Sequence, residues 1–177
     1  KQEKNRWGLG VAMTFESNLY QTKTYNPDVM PYLSYRGDSF YFAGREIGLV
    51  LWQQSMSRVD LFGQLRADGY MGEGVLMAGI SRNYPGIDAG VRYLRDSPAS
   101  FWLLEAVSDV ARFSYGTEVR AAYIYKIYND YALRSWIAIN WQDRKLINYY
   151  YGVKKNEKTT QREAYQASEA INLELGL

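Results

Sequence analysis

Apolar and polar residues alternate along several runs of the chain, which is typical of β-strands with one apolar face. In the run 7–16 the odd positions carry large apolar side chains, whereas the even positions carry small or polar ones. The same alternation occurs in the runs 59–68, 87–93, 117–128, 131–142 and 171–177. Weaker strand candidates lie at 47–54 and 101–110, and at 30–42 around a Gly37-Asp38 turn. The pattern predicts about nine or ten antiparallel strands, two of them joined by a tight Asn129-Asp130 hairpin.

Two architectures accommodate such strands, and they differ in where the apolar face points. A soluble sandwich directs it inward, whereas a membrane barrel directs it to lipid. The runs are about as long as the 9–11 residues that a membrane strand needs, and aromatic residues lie near the ends of the apolar bands. We therefore expect an all-β fold, an antiparallel transmembrane β-barrel forming a single domain over residues 1–177. The soluble sandwich is the alternative.

The barrel interpretation assigns each strand face a role. Charged residues in the polar faces would point into the lumen, where opposite charges could pair across a narrow, partly plugged interior. These candidates are Asp60, Arg66, Asp68, Asp88, Arg92, Glu118, Arg120, Lys126, Arg134 and Glu174. Aromatic residues near the band ends would lie at the membrane interface. These candidates are Trp7, Phe15, Tyr123, Tyr125, Tyr131, Trp141, Tyr149, Tyr150 and Tyr151.

The last run stops at Leu177 while its alternation could continue, and no terminal aromatic closes it. We therefore expect C-terminal closing strands to be absent from this chain, with about 10–12 strands in the intact barrel. Residues 1–7 lack the apolar core of a signal peptide. We accordingly expect either a cytosolic chain or a mature form from which the signal peptide has been removed.

The composition argues against several functional classes. The chain has 177 residues, no cysteine, no histidine and a net charge of +2. Without histidine, the common Ser-His-Asp and Cys-His hydrolytic systems have no general base, so we expect no enzyme. Without cysteine there are no disulfides or thiolate metal sites, and no metal or cofactor is expected. The small, evenly spread charge argues against nucleic-acid binding.

Several short motifs have ordinary structural explanations. Carboxylate pairs such as Glu105 with Asp109 could do acid–base work, but lumen charges paired with Arg66 or Arg92 explain them better. The Gly72-Glu-Gly74 sequence lacks the lysine of a phosphate loop, and Arg36-Gly-Asp38 fits a turn. The basic stretch of Lys154, Lys155, Lys158 and Arg162 could contact lipopolysaccharide or a partner, although a solvated loop explains it too.

A set of segments, in order along nearly the whole chain, resembles one family. The segment 31–42, with Gly44 and residues 47–49 after it, resembles the early signature of the MipA/OmpV family of Gram-negative outer-membrane proteins, also called MltA-interacting proteins. Further segments similar to the family are 7–11, 87–93, 108–110, 149–153 and 164–167. Members of the family normally continue through further C-terminal strands, so this chain departs from the pattern at its end.

The resemblance implies an outer-membrane location and a non-enzymatic role. It implies a scaffold at the inner side of the outer membrane, where a lytic transglycosylase and a peptidoglycan synthase would be the partners, besides outer-membrane lipid and lipopolysaccharide. It carries no catalytic residues and no cofactor. A narrow porin-like channel for small solutes or ions is the alternative function, although mixed lumen charges and large side chains such as Phe62 and Arg92 favour a blocked interior.

Overall fold

The chain forms one antiparallel sheet of ten strands that lie side by side in chain order. A computed structural model describes residues 6–14, 28–66, 86–127, 134–160 and 162–176. The strands are β1 Arg6–Thr14, β2 Asp28–Arg36, β3 Phe40–Ala43, β4 Glu46–Gln54, β5 Ser57–Arg66, β6 Gly86–Asp96, β7 Ser100–Asp109, β8 Thr117–Lys126, β9 Arg134–Gln142 and β10 Ala170–Gly176. The expectation of an all-β antiparallel fold is confirmed. The weaker candidates are strands as well, with 47–54 in β4, 101–110 in β7, and 30–42 in β2 and β3 around the turn at residues 37–39.

Each strand pairs with the next one along the chain, and the register follows the alternation of the sequence. Leu61 lies opposite Leu49 and Val91, while Asp60 lies opposite Val50 and Arg92. A bulge between Val50 and Trp52 shifts the β4–β5 register. Pairing between β1 and β10 does not occur among the described residues. The predicted Asn129-Asp130 turn lies outside the described residues.

The two ends of the sheet differ in their connections. At one end, called the short-turn end, β2–β3, β4–β5 and β6–β7 are joined by residues 37–39, 55–56 and 97–99. At the opposite end, called the long-connection end, residues 15–27, 67–85, 110–116 and 143–169 join the strands. The strand β3 is shorter than its neighbours, so the chain reverses at 44–45 within the sheet.

One helix, α1 Arg144–Tyr151, lies in the β9–β10 connection and was not predicted by the sequence pattern. Asp143 caps it, because its Oδ1 accepts a hydrogen bond from the Leu146 amide at 2.8 Å. Leu146 and Ile147 are buried. The helix lies so close to Gly116 that a Cβ at that position would overlap Leu146. A short 3₁₀ helix, Lys155–Glu157, follows.

No helix in the described part of the chain is both long enough and apolar enough to cross a membrane.

The two faces of the sheet are inverted relative to those of a water-soluble protein. One face, called the outward face, exposes large apolar side chains, for example Leu9 at 86% and Leu173 at 63%. The other, the inward face, buries charged residues, with Asp60 at 0% and Asp88 at 1% exposure. An apolar surface of this extent is unusual on a monomer in water but normal for strands that face lipid.

Candidate functional site

The inward face carries most of the charged side chains of the described strands and is the candidate site. Alternation places them there, because side chains two residues apart on a strand share a face. The strand register then brings residues of different strands together, as in the cross-strand pairs of Arg92 with Glu105 and of Glu105 with Arg120. Attraction between opposite charges that lie across from each other stabilises the pairing of neighbouring strands.

Arg66 organises the first group of charges, near the long-connection end. Its Nε donates to Asp88 at 2.7 Å and its Nη1 donates to Glu118 at 2.8 Å. Gln64 donates to Asp88 and Gln142 donates to Glu118, at 3.4 and 3.3 Å. These five residues are called the Arg66 cluster.

The Arg66–Glu118 contact also reports on the shape of the sheet. The two residues belong to β5 and β8, which have β6 and β7 between them. With neighbouring strands about 4.8 Å apart, their backbones are roughly 14 Å apart along the sheet. Glu118 is also level with Phe62 in the register, four residues along β5 from Arg66, which lengthens the path further. A contact of 2.8 Å between their side chains therefore means that the sheet curves, with the inward face concave.

Arg92 organises a second group at the middle of the inward face. Its guanidinium donates to both Glu46 oxygens at 2.6 and 2.7 Å and to Glu105 at 2.5 Å. The Tyr41 hydroxyl donates to Glu46 at 2.8 Å. The Phe62 ring lies under the guanidinium, 4.1 Å from Cζ. These five residues are called the Arg92 cluster.

Glycine makes room for the Arg92 cluster. The Tyr41 ring is 4% exposed and lies over Gly48 on the neighbouring strand. A Cβ at position 48 would overlap that ring. The Phe62 side chain, which breaks the alternation of large apolar residues on β5, is 3% exposed and lies on the inward face. Its aromatic ring therefore lies on the polar side of the sheet, where the Arg92 guanidinium stacks on it.

Smaller ion pairs complete the inward face. Arg120 contacts Glu174 at 2.9 Å between β8 and β10, and Arg58 contacts Asp60 at 2.8 Å. Lys126 pairs with Asp96 at the short-turn end and donates to the Ser97 carbonyl at 2.8 Å. A cavity of about 420 Å³ remains between the Arg92 cluster and the short-turn end, with Arg6, Arg36 and Arg58 in its lining.

The structure places most predicted lumen charges together on the inward face. Asp60, Arg66, Asp88, Arg92, Glu118, Arg120, Lys126 and Glu174 all form the ion pairs above. Arg134 lies opposite Lys126 in the β8–β9 register. Asp68 lies outside the described residues. Tyr41, Glu46, Arg58 and Asp96 also take part in these contacts and were not predicted. Glu46 could have been found, because it precedes the alternating Ile47, Leu49 and Leu51.

The described interface aromatics lie at three places in the fold. Trp7, Tyr123 and Tyr125 belong to the outward face near the short-turn end, where Trp7 contacts Tyr35 at 4.8 Å and Tyr123 contacts Trp102 at 4.6 Å between ring centroids. Trp141 lies near the long-connection end. Tyr149, Tyr150 and Tyr151 lie on α1 and not on a strand. Phe15 and Tyr131 lie outside the described residues.

Among the described residues, no group of three or more acidic side chains could hold a metal ion. The groups that the inward face does bring together are closely spaced ion pairs of arginine or lysine with aspartate or glutamate.

Comparison with known proteins gives one family and one distant relative. The family described as MltA-interacting protein MipA matches residues 9–177. The putative outer membrane protein YiaT of Escherichia coli O157:H7 is 22% identical over 167 residues, which cover 92% of this chain and 68% of YiaT. No solved structure matches the chain significantly.

Proposed function

Because the chain belongs to the MltA-interacting protein MipA family and is an outer-membrane protein, we propose that it acts as a non-enzymatic scaffold for peptidoglycan-remodelling proteins. The family description names an interaction with MltA, a lytic transglycosylase. A lytic transglycosylase and a peptidoglycan synthase are the proposed partners.

The charge clusters that occupy the concave inward face are the observation that carries this proposal. The Arg92 cluster occupies the middle of the inward face, and the Arg66 cluster lies beside it toward the long-connection end. Positive and negative groups alternate in these two clusters, so neither of them forms a ring of single sign that would select ions. Clusters that occupy the inward face in this way favour a binding role at the ends of the sheet over solute passage.

The proposed partner surface is the short-turn end. Outer-membrane strands are generally joined by short turns on the periplasmic side and by longer loops outside. The turns at 37–39, 55–56 and 97–99 would then face the periplasm, where peptidoglycan enzymes work.

A binding experiment with the protein in lipid nanodiscs tests the scaffold. The purified protein is immobilised, and binding of a lytic transglycosylase of the same cell is measured by surface plasmon resonance. We expect binding that the turn substitution Asp38→Arg weakens and the long-connection substitution Lys158→Glu does not. Absence of binding by the folded protein, or equal loss in both variants, would overturn the proposal.

A narrow channel is the second candidate function, favoured by the cavity of about 420 Å³ at the short-turn end. Planar-bilayer recording distinguishes the two. We expect a silent barrel, with folding verified by heat-modifiable gel mobility. Discrete conductance steps that change in an Arg92→Gln variant would establish the channel instead.

A further inference from the structure

The β9–β10 connection contains a second cavity, and we propose that it binds the phosphorylated saccharide of outer-leaflet lipopolysaccharide. The cavity has a volume of about 740 Å³. It lies between α1 and the segment that returns to β10, and its lining includes Arg144, Lys145, Lys154 and Lys155. This site goes beyond the scaffold function, which is proposed for the opposite end of the sheet.

The first argument is that the four cations lining the cavity have no carboxylate paired with them among the described residues. Within the described part of the chain, none of these four cations forms an ion pair with a carboxylate, and all four are exposed. This differs from the inward face, where Arg66 and Arg92 each have two carboxylate partners. Four like charges around one cavity repel one another and attract a multiply charged anion.

The walls of the cavity are held in place without those cations, which is the second argument. The Asn148 side chain donates to the Ala167 carbonyl at 2.7 Å and accepts from the Ala167 amide at 2.8 Å. Val153 and Tyr165 exchange backbone hydrogen bonds at 2.8 and 3.0 Å. A binding site formed before the ligand arrives loses less entropy on binding.

The buried carboxylate of Glu157 holds the turn that forms the far wall of the cavity. The Glu157 side chain, 5% exposed, accepts from the Lys154 amide at 2.9 Å. The Arg162 guanidinium donates to the Glu157 carbonyl at 2.7 Å. Lys154 and Lys155 therefore extend from a fixed turn.

Aromatic side chains give the cavity its second chemical character. Tyr149 and Tyr165 line it together with the Gln166 amide. Tyrosine rings offer flat apolar surface with a polar hydroxyl, and a glutamine amide supplies both donors and an acceptor. Lysine and arginine bind phosphate oxygens. A phosphate on a sugar is the ligand that uses all of these groups at once.

The position of the cavity in the fold indicates where such a phosphorylated saccharide would come from. The cavity is at the long-connection end, which corresponds to the outer side of an outer-membrane barrel. The phosphorylated sugars of lipopolysaccharide lie at that height, just beyond the lipid. Basic pockets at membrane surfaces bind anionic headgroups in the same manner.

The experiment measures binding of purified lipopolysaccharide by the protein in lipid nanodiscs, and uses a double charge reversal, Lys154→Glu with Lys155→Glu. We expect it to weaken binding at least about tenfold. Lys158→Glu is the matched control, because Lys158 is exposed in the same connection but does not line the cavity. We expect that control to bind within about twofold of the parent protein. Equal binding by the parent and the double variant would overturn the proposal.

Two further arms identify the recognised group. Deacylated core saccharide with its phosphates is expected to bind, and the same saccharide after phosphatase treatment is expected not to bind. Binding that requires the acyl chains, or that survives phosphate removal, would contradict the proposal. Transglycosylase binding by the double variant is expected to be unchanged, so the failure of this proposal is distinguishable from failure of the scaffold.

Discussion

Arg92 shows what a single buried charge does on the inward face. Glu46 and Glu105 both bind its guanidinium, and the side chains of the three residues are 14%, 18% and 13% exposed. Removing the arginine would leave two partly buried carboxylates close together and unpaired. The cost of an unpaired buried charge exceeds the strength of the pair itself.

We therefore expect Arg92→Met to lower the free energy of unfolding by about 3 kcal/mol. Urea unfolding in lipid vesicles, followed by tryptophan fluorescence, measures this change. Adding Glu46→Gln and Glu105→Gln to the variant should recover much of the loss, because neutral side chains no longer repel one another. No recovery would refute the electrostatic explanation.

Arg120 provides the comparison. Its pair with Glu174 is more exposed, at 37% and 34% of the two side chains. Water screens such a pair, so Arg120→Met should cost less than about 1 kcal/mol in the same measurement. Equal decreases in the free energy of unfolding for the Arg92 and Arg120 variants would mean that burial does not determine how much these ion pairs contribute to stability.

At the scale of elements, the strands were predicted and the helix α1 was missed. Alternation is a property of each strand's own sequence, so β1, β5 and β8 could be located to within two residues of their ends. The helix α1 was missed because its Tyr149-Tyr150-Tyr151 run suggests an interfacial anchor when helical spacing is not considered. Asp143 followed by Leu146 and Ile147 was a usable signal for a capped helix with one buried face.

The sequence predicted which face of the sheet each charged residue occupies better than it predicted which residues form ion pairs. Alternation assigned Arg66 and Glu118 to the polar side, but their contact depends on the curvature of β5 through β8. Curvature is set by the packing of the whole sheet. Of the cations that line the β9–β10 cavity, Lys154 and Lys155 were predicted as part of a basic stretch. Arg144 and Lys145 were missed, because they approach Lys154 only once α1 forms.

The packing of α1 against the start of β8 depends on Gly116. We expect Gly116→Ala to displace the helix, since the new methyl group would overlap Leu146. Limited trypsin digestion of the folded protein should then cleave faster after Arg144 or Lys145. Gly10→Ala is the control, because a Cβ at Gly10 meets nothing within 4 Å. Unchanged digestion of the Gly116 variant would show that the helix is held by other contacts.

At the scale of the whole molecule, the asymmetry of the two ends predicts orientation in the membrane. The chain has no cysteine, so single cysteines can be introduced as labels. We expect Lys158→Cys to react with a membrane-impermeant maleimide in intact cells. Ser39→Cys, in a short turn, should react only after the outer membrane is permeabilised. The reverse labelling pattern would invert the orientation used for both proposals.

The ion pairs that skip strands bear on the order in which the protein folds. Hairpins between consecutive strands need only local chain closure, which is fast. Arg92–Glu46, Arg66–Glu118 and Arg120–Glu174 join residues 46, 52 and 54 positions apart, and each spans at least one intervening strand. Such contacts can form only after the hairpins have associated and curled. These ion pairs therefore form late in folding, after the sheet has curved, and the hairpins form first.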